Sequence, residues 1–198
     1  MPDAHRTPAL DALLAIVLER GYRRSEQPFT LSSGGESHDY VDLRRAVGHG
    51  DALRIAAEAV LEYLEDAGIA FDAIGGMTMG ADPVAHATAL VGGLGWYSVR
   101  KSEKTYGERQ RIEGTPLHAG LRVVVFEDTT STGRSLLEAL DVVRGSGAEI
   151  VAALTLLDRG ADTATAFAPS GVGFHTLLTY ADLGIAPIGT VGNPGRNA

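Results

Sequence analysis

Hydrophobic positions recur along the chain with two different periods. Leu10, Leu13, Leu14, Val17 and Leu18 fall at helical spacing, and Gly21 follows as a natural stop. Phe29–Ser33 and Tyr40–Leu43 read as short strands around a Ser/Gly turn. Ala52–Ala67 predicts an amphipathic helix ended by Gly68, Phe71–Gly76 a buried strand, and Pro83–Leu90 a helix. Trp96–Arg100 predicts another strand. Ser102–Thr115 has many charges and no apolar period, so it reads as an exposed loop. Leu121–Phe126 carries the strongest strand signal. The helix Ser135–Arg144, closed by Gly145, and the apolar strands Ile150–Leu157 and Gly173–Leu178 complete the pattern. Trp96 and Phe126 are expected in the core, and His86 reads as a partly buried helix residue.

From residue 52 onward strands and helices alternate, which predicts an α/β fold with a central parallel sheet and helices on both faces. Ligands of such sheets bind beyond the carboxyl ends of the strands. The informative segments are therefore those just after Gly76, Arg100, Phe126 and Leu157.

The 198 residues suit one domain, with no internal repeat or low-complexity linker; Gly189–Ala198 reads as a loose tail. With 25 glycines, the chain holds nearly twice the usual share of about 7 %. The absence of cysteine removes disulfides, thiolate nucleophiles and Cys-based zinc sites. A net charge of −8 disfavours a general nucleic-acid surface but leaves room for a local basic pocket. No export signal or apolar run long enough to span a bilayer is present, so a cytoplasmic protein with no membrane partner is expected. The six histidines are scattered without metal-ligand spacing.

The segment Val123-Val124-Val125-Phe126-Glu127-Asp128-Thr129-Thr130-Ser131-Thr132-Gly133-Arg134-Ser135 carries the clearest chemistry. A strand runs into two acids, then a hydroxyl-rich turn, then a helix. The turn and the helix N-terminus offer free backbone N–H groups to a phosphate, the hydroxyls add donors, and Gly133 lets the backbone wrap closely. Glu127 and Asp128 suit sugar hydroxyls or a magnesium ion. This is not a Walker A loop, because Asp128 and Arg134 stand where that motif needs Gly and Lys. Nor is Gly75–Gly80 a dinucleotide fingerprint, because Met77 takes the middle glycine position. Arg100, Lys101, Lys104, Arg109 and Arg111 lie within twelve positions, a cluster able to neutralise a departing diphosphate as its charge builds. A glycine-containing polar loop there could close and exclude water.

At these residues the chain resembles the type I phosphoribosyltransferases, and other segments narrow the resemblance to the orotate phosphoribosyltransferases of the actinobacterial branch. Those segments are Phe29-Thr30-Leu31-Ser32-Ser33-Gly34, Tyr40-Val41-Asp42-Leu43-Arg44-Arg45 and Gly75 through Ala85. With them go Val99-Arg100-Lys101 through Gly114, Leu157-Asp158-Arg159 and Ala181-Asp182-Leu183-Gly184, all in order between residues 29 and 184. The resemblance implies a single phosphoribosyltransferase domain over 1–198. A hood would be formed by about residues 1–45 and the C-terminal end, with a flexible catalytic loop over 102–115. It implies transfer of the phosphoribosyl group from phosphoribosyl diphosphate to orotate, giving orotidine 5′-monophosphate and diphosphate, with Mg2+ held through substrate oxygens and a homodimer sharing its active sites. The implied catalytic residues are Lys101, Lys104, Glu127 and Asp128, with Lys101 acting across the dimer interface. The implied substrate contacts are Thr78 and Met79 beside the diphosphate, Arg100 and Tyr106 in the cationic segment, and Thr129, Thr130, Ser131, Thr132, Gly133, Arg134 and Ser135 around the 5′-phosphate. Ser131 would also touch orotate, and Arg159 would pair with its pyrimidine edge.

The chain departs from the family pattern in several places. Tyr106 stands where most members have His, Ser32 and Met79 replace lysines, and His38-Asp39-Tyr40-Val41 replaces an aromatic pair. Tyr106 keeps a hydrogen-bond donor but brings no charge near neutral pH. A phosphoribosyltransferase for another base, and a non-catalytic sensor of phosphoribosyl diphosphate, remain as alternatives. No helix-turn-helix extension accompanies the second.

Overall fold

The computed structural model describes residues 6–30, 36–102 and 111–188. Lys104, Tyr106, Arg109, Ser32 and the Gly189–Ala198 tail lie outside them. Helix α1 (Pro8–Ile16) starts where Thr7 accepts the Leu10 N–H and Pro8 takes the first helical position, and it runs on through a π-helical turn to Gly21. The strands β1 (Tyr22–Thr30) and β2 (Glu36–Val41) then form an antiparallel hairpin separate from the main sheet. Its register shifts between Arg24 and Phe29, a stretch that contains Pro28, which has no N–H to give a ladder. Tyr40–Leu43 is expected as a strand. The strand instead ends at Val41, because Asp42 turns back to accept the Arg45 N–H (3.1 Å) and caps the short helix α2 (Leu43–Ala46).

The main body runs through α3 (Gly50–Asp66), β3 (Ala73–Met77), α4 (Asp82–Gly92), β4 (Gly95–Val99) and β5 (Ile112–Gly114). It continues with β6 (Arg122–Thr130), α5 (Arg134–Arg144), β7 (Glu149–Asp158), α6 (Thr163–Phe167) and β8 (Phe174–Thr179). The sheet order is β5-β4-β3-β6-β7-β8; all neighbours are parallel except β5, which pairs antiparallel to β4. The expected loop over Ser102–Thr115 therefore contains a short edge strand. Tyr97, Ser98 and Val99 supply its partner backbone, and Gly114 ends it with φ +93° against Trp96.

Alternation along β6 divides the core. Val124 and Phe126 pack with α1, α3 and α4 on one face, and Val123 and Val125 pack with α5 and Phe167 on the other. Phe126 is fully buried as expected. Trp96 is not: it is 41 % exposed, and its ring packs at a tilt against His86 of α4, 4.3 Å between ring centroids. The fully buried Tyr97 takes the core position beside it and satisfies its hydroxyl on the Val124 carbonyl at 2.9 Å. Among the described residues, no helix is long and apolar enough to cross a membrane.

Winding reverses at β3, which lies between β4 and β6, so the crevice beyond the carboxyl ends of β3 and β6 is the topological switch point. Two glycines let β3 sit there. A Cβ on Gly75 would collide with the Tyr97 carbonyl, and one on Gly76 with the Phe126 carbonyl. At the opposite end of these strands Arg122 grips Asp72: its backbone N–H, Nε and a terminal nitrogen donate to the carboxylate at 3.0, 3.1 and 2.7 Å. Those hydrogen bonds hold the Asp72 carboxyl down at about 2, against an ordinary 3.8. A depressed acid stabilises the fold above its unfolded pKa, and that contribution fades as pH falls through the folded one. Asp72→Asn is therefore expected to lower the urea midpoint at pH 7. The gap from wild type should close as pH drops below about 4, and a gap that stays constant would refute the assignment.

Candidate active site

Glu127 and Asp128 lie near the end of β6, three and two residues before its last residue, Thr130. The strand runs further than its apolar residues predict because β7 continues to pair with it, Thr129 opposite Leu157 and Thr130 opposite Asp158. Glu127 is buried at 6 % exposure, and its Oε2 has no hydrogen-bond partner among the described residues. Burial, reinforced by the adjacent Asp128 charge, pushes the Glu127 carboxyl well above the ordinary carboxylate range; the Lys101 ammonium of the same chain pulls it part of the way back. Asp128 turns its Oδ1 onto the Thr129 N–H at 2.7 Å.

The loop after β3 closes on these acids. A Cβ on Gly80 would lie 2.8 Å from Asp128 Oδ1 and 3.1 Å from Glu127 Oε1, so only glycine leaves the space beside the carboxylates open. The preceding Thr78–Met79 peptide bond is cis, and the Met79 side chain is 67 % exposed. Asp82, at the start of α4, anchors this loop by accepting the Thr78 hydroxyl on Oδ2 (2.5 Å) and the Ser98 hydroxyl on Oδ1 (2.7 Å). Ser98 Oγ in turn meets His86 Nε2 at 3.3 Å.

The turn after β6 has an inner and an outer side. Thr130 is buried and accepts the Gly133 N–H at 2.8 Å, so its hydroxyl shapes the turn from within. Gly133 adopts φ +73° at the N-cap of α5, where no side chain caps the helix. The first-turn amides of α5 have no intrahelical acceptors, which leaves them available to an anion. Thr132, Arg134 and Ser135 are exposed around that terminus, and Thr129 and Ser131 are half-buried.

Behind the turn, Asp158 at the end of β7 accepts the Gly160 N–H (2.9 Å) and the Thr163 hydroxyl (2.7 Å). Thr163 also donates to the Ser131 carbonyl at 3.2 Å, and the Arg159 N–H donates to the Thr130 carbonyl at 2.8 Å. Arg159 is thus fixed by its backbone to the phosphate-type turn, while its Nε is buried without a partner among the described residues. Burial pushes the Tyr180 phenol up, the Arg159 guanidinium beside it counters this, and Asp39 and Tyr40 of the hairpin are close enough to be felt. Phe29 and Tyr40 pack with tilted rings across that hairpin, 5.4 Å between centroids.

In the cationic segment Lys101 is exposed, and Arg100 lies 3.7 Å from Glu113. Arg111, expected among the groups that neutralise diphosphate, is engaged elsewhere. It donates to the Arg100 and Lys101 carbonyls and to Glu138. Among the described residues the structure brings Lys101, Glu127, Asp128, Gly80 and the 129–135 turn to one end of the sheet. The sequence places Gly80, Asp82 and Asp158 within family-like segments without a role for any of them, and it does not mark Thr163. Asp82 opens α4 and Asp158 ends β7, but which hydroxyls and amides they hold is set by the fold rather than by the sequence pattern.

Acids and an uncapped helix turn at the switch point of an open sheet suit an anionic ligand, and the family model for the phosphoribosyl transferase domain matches residues 48–169. An orotate phosphoribosyltransferase of Corynebacterium glutamicum (strain R) is 40 % identical over 158 residues, 79 % of this chain and 84 % of that one. The crystal structure of the Mycobacterium tuberculosis H37Rv orotate phosphoribosyltransferase in complex with Fe(III) dicitrate superposes with a TM-score of 0.78 at 37 % identity, covering 90 % of this chain and 100 % of that one. The structure of that enzyme in complex with 5-phospho-α-D-ribosyl 1-diphosphate gives a TM-score of 0.74 at 36 % identity over the same shares. The chain belongs to the orotate phosphoribosyltransferase family.

The Glu127 carboxyl, raised above its ordinary 4.5, stabilises the ligand-free fold most at low pH and loses that contribution as pH rises. Glu127→Gln is therefore expected to flatten the thermal-stability profile between about pH 5 and 9. At the alkaline end it should unfold several degrees above wild type, for about 1–3 kcal/mol at roughly 2–4 °C per kcal/mol. Parallel profiles for the two proteins would show that Glu127 ionises normally.

Proposed function

We propose that the chain transfers the phosphoribosyl group of 5-phospho-α-D-ribosyl 1-diphosphate to orotate, releasing diphosphate and forming orotidine 5′-monophosphate. The observation that carries this reading is the pairing of an uncapped helix turn with a buried, partner-poor carboxylate at the switch point of the sheet. The turn supplies donors for a phosphate, and the acids attract positive charge, so a sugar phosphate that becomes cationic at C1′ suits both ends.

The 5′-phosphate would lie on the backbone amides of 131–135, with the hydroxyls of Thr129, Ser131, Thr132 and Ser135 as additional donors and Thr130 holding the turn in shape. Glu127 and Asp128 would accept the ribose hydroxyls. As the C1′–O bond to diphosphate breaks and orotate N1 forms the new bond, positive charge grows on the sugar beside these carboxylates and negative charge on the leaving group. Arg100 and Lys101 would face the latter, with the Thr78–Gly80 loop passing alongside. Lys104 and Tyr106 would complete the cationic segment. Arg159, tied through its backbone to the turn, would present its guanidinium to the pyrimidine edge, and the β1–β2 hairpin with the C-terminal segment would cover the base.

Magnesium fits the residues present. The donors are hard carboxylate oxygens, Glu127 Oε2 lacks a partner among the described residues, and Gly80 leaves room beside them. No group of three or more His, Cys, Asp or Glu able to hold a metal ion occurs among the described residues, so the ion would rely on substrate oxygens for most of its coordination. When bound it would screen the diphosphate charge. A homodimer would cover the exposed Leu90, Val91 and Trp96 on and beside α4, together with Met79.

The reading is tested by the ultraviolet loss of orotate and by diphosphate release, each with and without Mg2+. Turnover that requires both substrates and the metal is expected. Asp128→Asn and Lys101→Ala should each lower kcat by about 10²–10³-fold while the unfolding midpoint stays near wild type. Turnover of a purine in place of orotate would redirect the assignment to another base, and tight phosphoribosyl diphosphate binding without turnover of any base would point to a sensor.

A further inference from the structure

Charge alone groups Arg111 with the cations that would meet diphosphate, but its hydrogen bonds set it apart. Arg111 Nε donates to the Arg100 carbonyl at 2.9 Å, and one terminal nitrogen donates both to the Lys101 carbonyl at 3.1 Å and to Glu138 Oε1 at 2.8 Å. The Arg111 carbonyl accepts the Arg100 N–H at 2.7 Å, so backbone and side chain together join the end of β4 to the start of β5. Glu138 lies on α5, one turn beyond Arg134, on the helix whose N-terminus forms the phosphate-type turn. The Arg111 side chain is only 26 % exposed and lines a cleft of about 700 Å³ between β5 and the C-terminal half of α5, together with Leu117, Asp141 and Val142.

An exposed ion pair by itself contributes little. A planar fork that holds two successive carbonyls and a carboxylate at once is different, because its geometry is fixed and a lysine cannot reproduce it. We propose that Arg111 is a positioning residue for the transfer reaction, bracing the Arg100-Lys101 backbone against α5 through Glu138 so that the two cations keep a fixed place at the end of the sheet, whichever of the dimer's sites they serve. This rests on the phosphoribosyl transfer reading above. Arg111 acts through its neighbours, so its loss should be felt in the chemical step rather than in ground-state affinity for the diphosphate substrate.

The test compares steady-state kinetics of the full chain and its Arg111→Gln, Arg111→Lys and Glu138→Gln variants with orotate, phosphoribosyl diphosphate and Mg2+. The number of phosphoribosyl diphosphate sites per chain is measured by calorimetry, so that a misfolded fraction is not mistaken for slow chemistry. Arg111→Gln should lose roughly 10–100-fold in kcat, with KM for phosphoribosyl diphosphate within about twofold and full site occupancy. Arg111→Lys should be nearly as impaired despite its charge, and Glu138→Gln several-fold slower. A kcat of wild-type size in Arg111→Lys would overturn the proposal. So would a tenfold higher KM at unchanged kcat in Arg111→Gln, since that marks direct diphosphate contact. Should Arg111→Gln fail to fold, the exposed Glu138→Gln decides, an unchanged rate refuting the brace. A wild-type chain inactive with orotate would instead sink the transfer reading, and the positioning role with it.

Discussion

A carboxylate oxygen taken out of water needs a partner, and Glu127 Oε2 has none among the described residues. Its neighbours make the shortage worse: Asp128 adds like charge, and Gly80 places backbone rather than a donor side chain against both acids. Much else in the architecture serves to hold this arrangement. The glycines of β3 admit the central strand, β7 extends β6 far enough to carry the acids, and Asp82 restrains the loop that closes over them. A site with an unmet demand for positive charge, next to a helix terminus with an unmet demand for negative charge, suits a ligand that is both.

The α/β architecture was legible because its determinants are local. The apolar run of β6 and the period of α3 and α5 set those elements, and alternation after residue 52 implied a sheet covered on both faces. What escaped depended on pairing. The edge strand β5 is made by hydrogen bonds to β4, in a segment whose own residues have no apolar period. The end of β2 is set by Asp42, whose helix-capping role is hidden among apolar neighbours. Trp96 looked like core by composition, but Tyr97, its neighbour on the other face of the strand, occupies that place.

At the site, the contiguous motif from Glu127 to Ser135 was readable because one strand–turn–helix junction contains it. The division of labour within it was not. Thr130 cannot be told from Thr129 in sequence, yet the pleat turns one inward to hold Gly133 and leaves the other beside Asp128. Arg111 differs from its cationic neighbours for a similar reason: charge is visible in a sequence, whereas the carbonyls that occupy a guanidinium are not.

The brace behind the turn carries an implication for how such a protein can diversify. Thr163, held by Asp158, fastens the Ser131 carbonyl, and the Arg159 amide is bonded to the Thr130 carbonyl, so Arg159 and the turn after β6 share one rigid frame. Grafting a new recognition segment after β7 would disturb the anion cradle as well. Substitutions on the separate hairpin, where Phe29 and Tyr40 pack against each other outside that frame, leave the turn undisturbed.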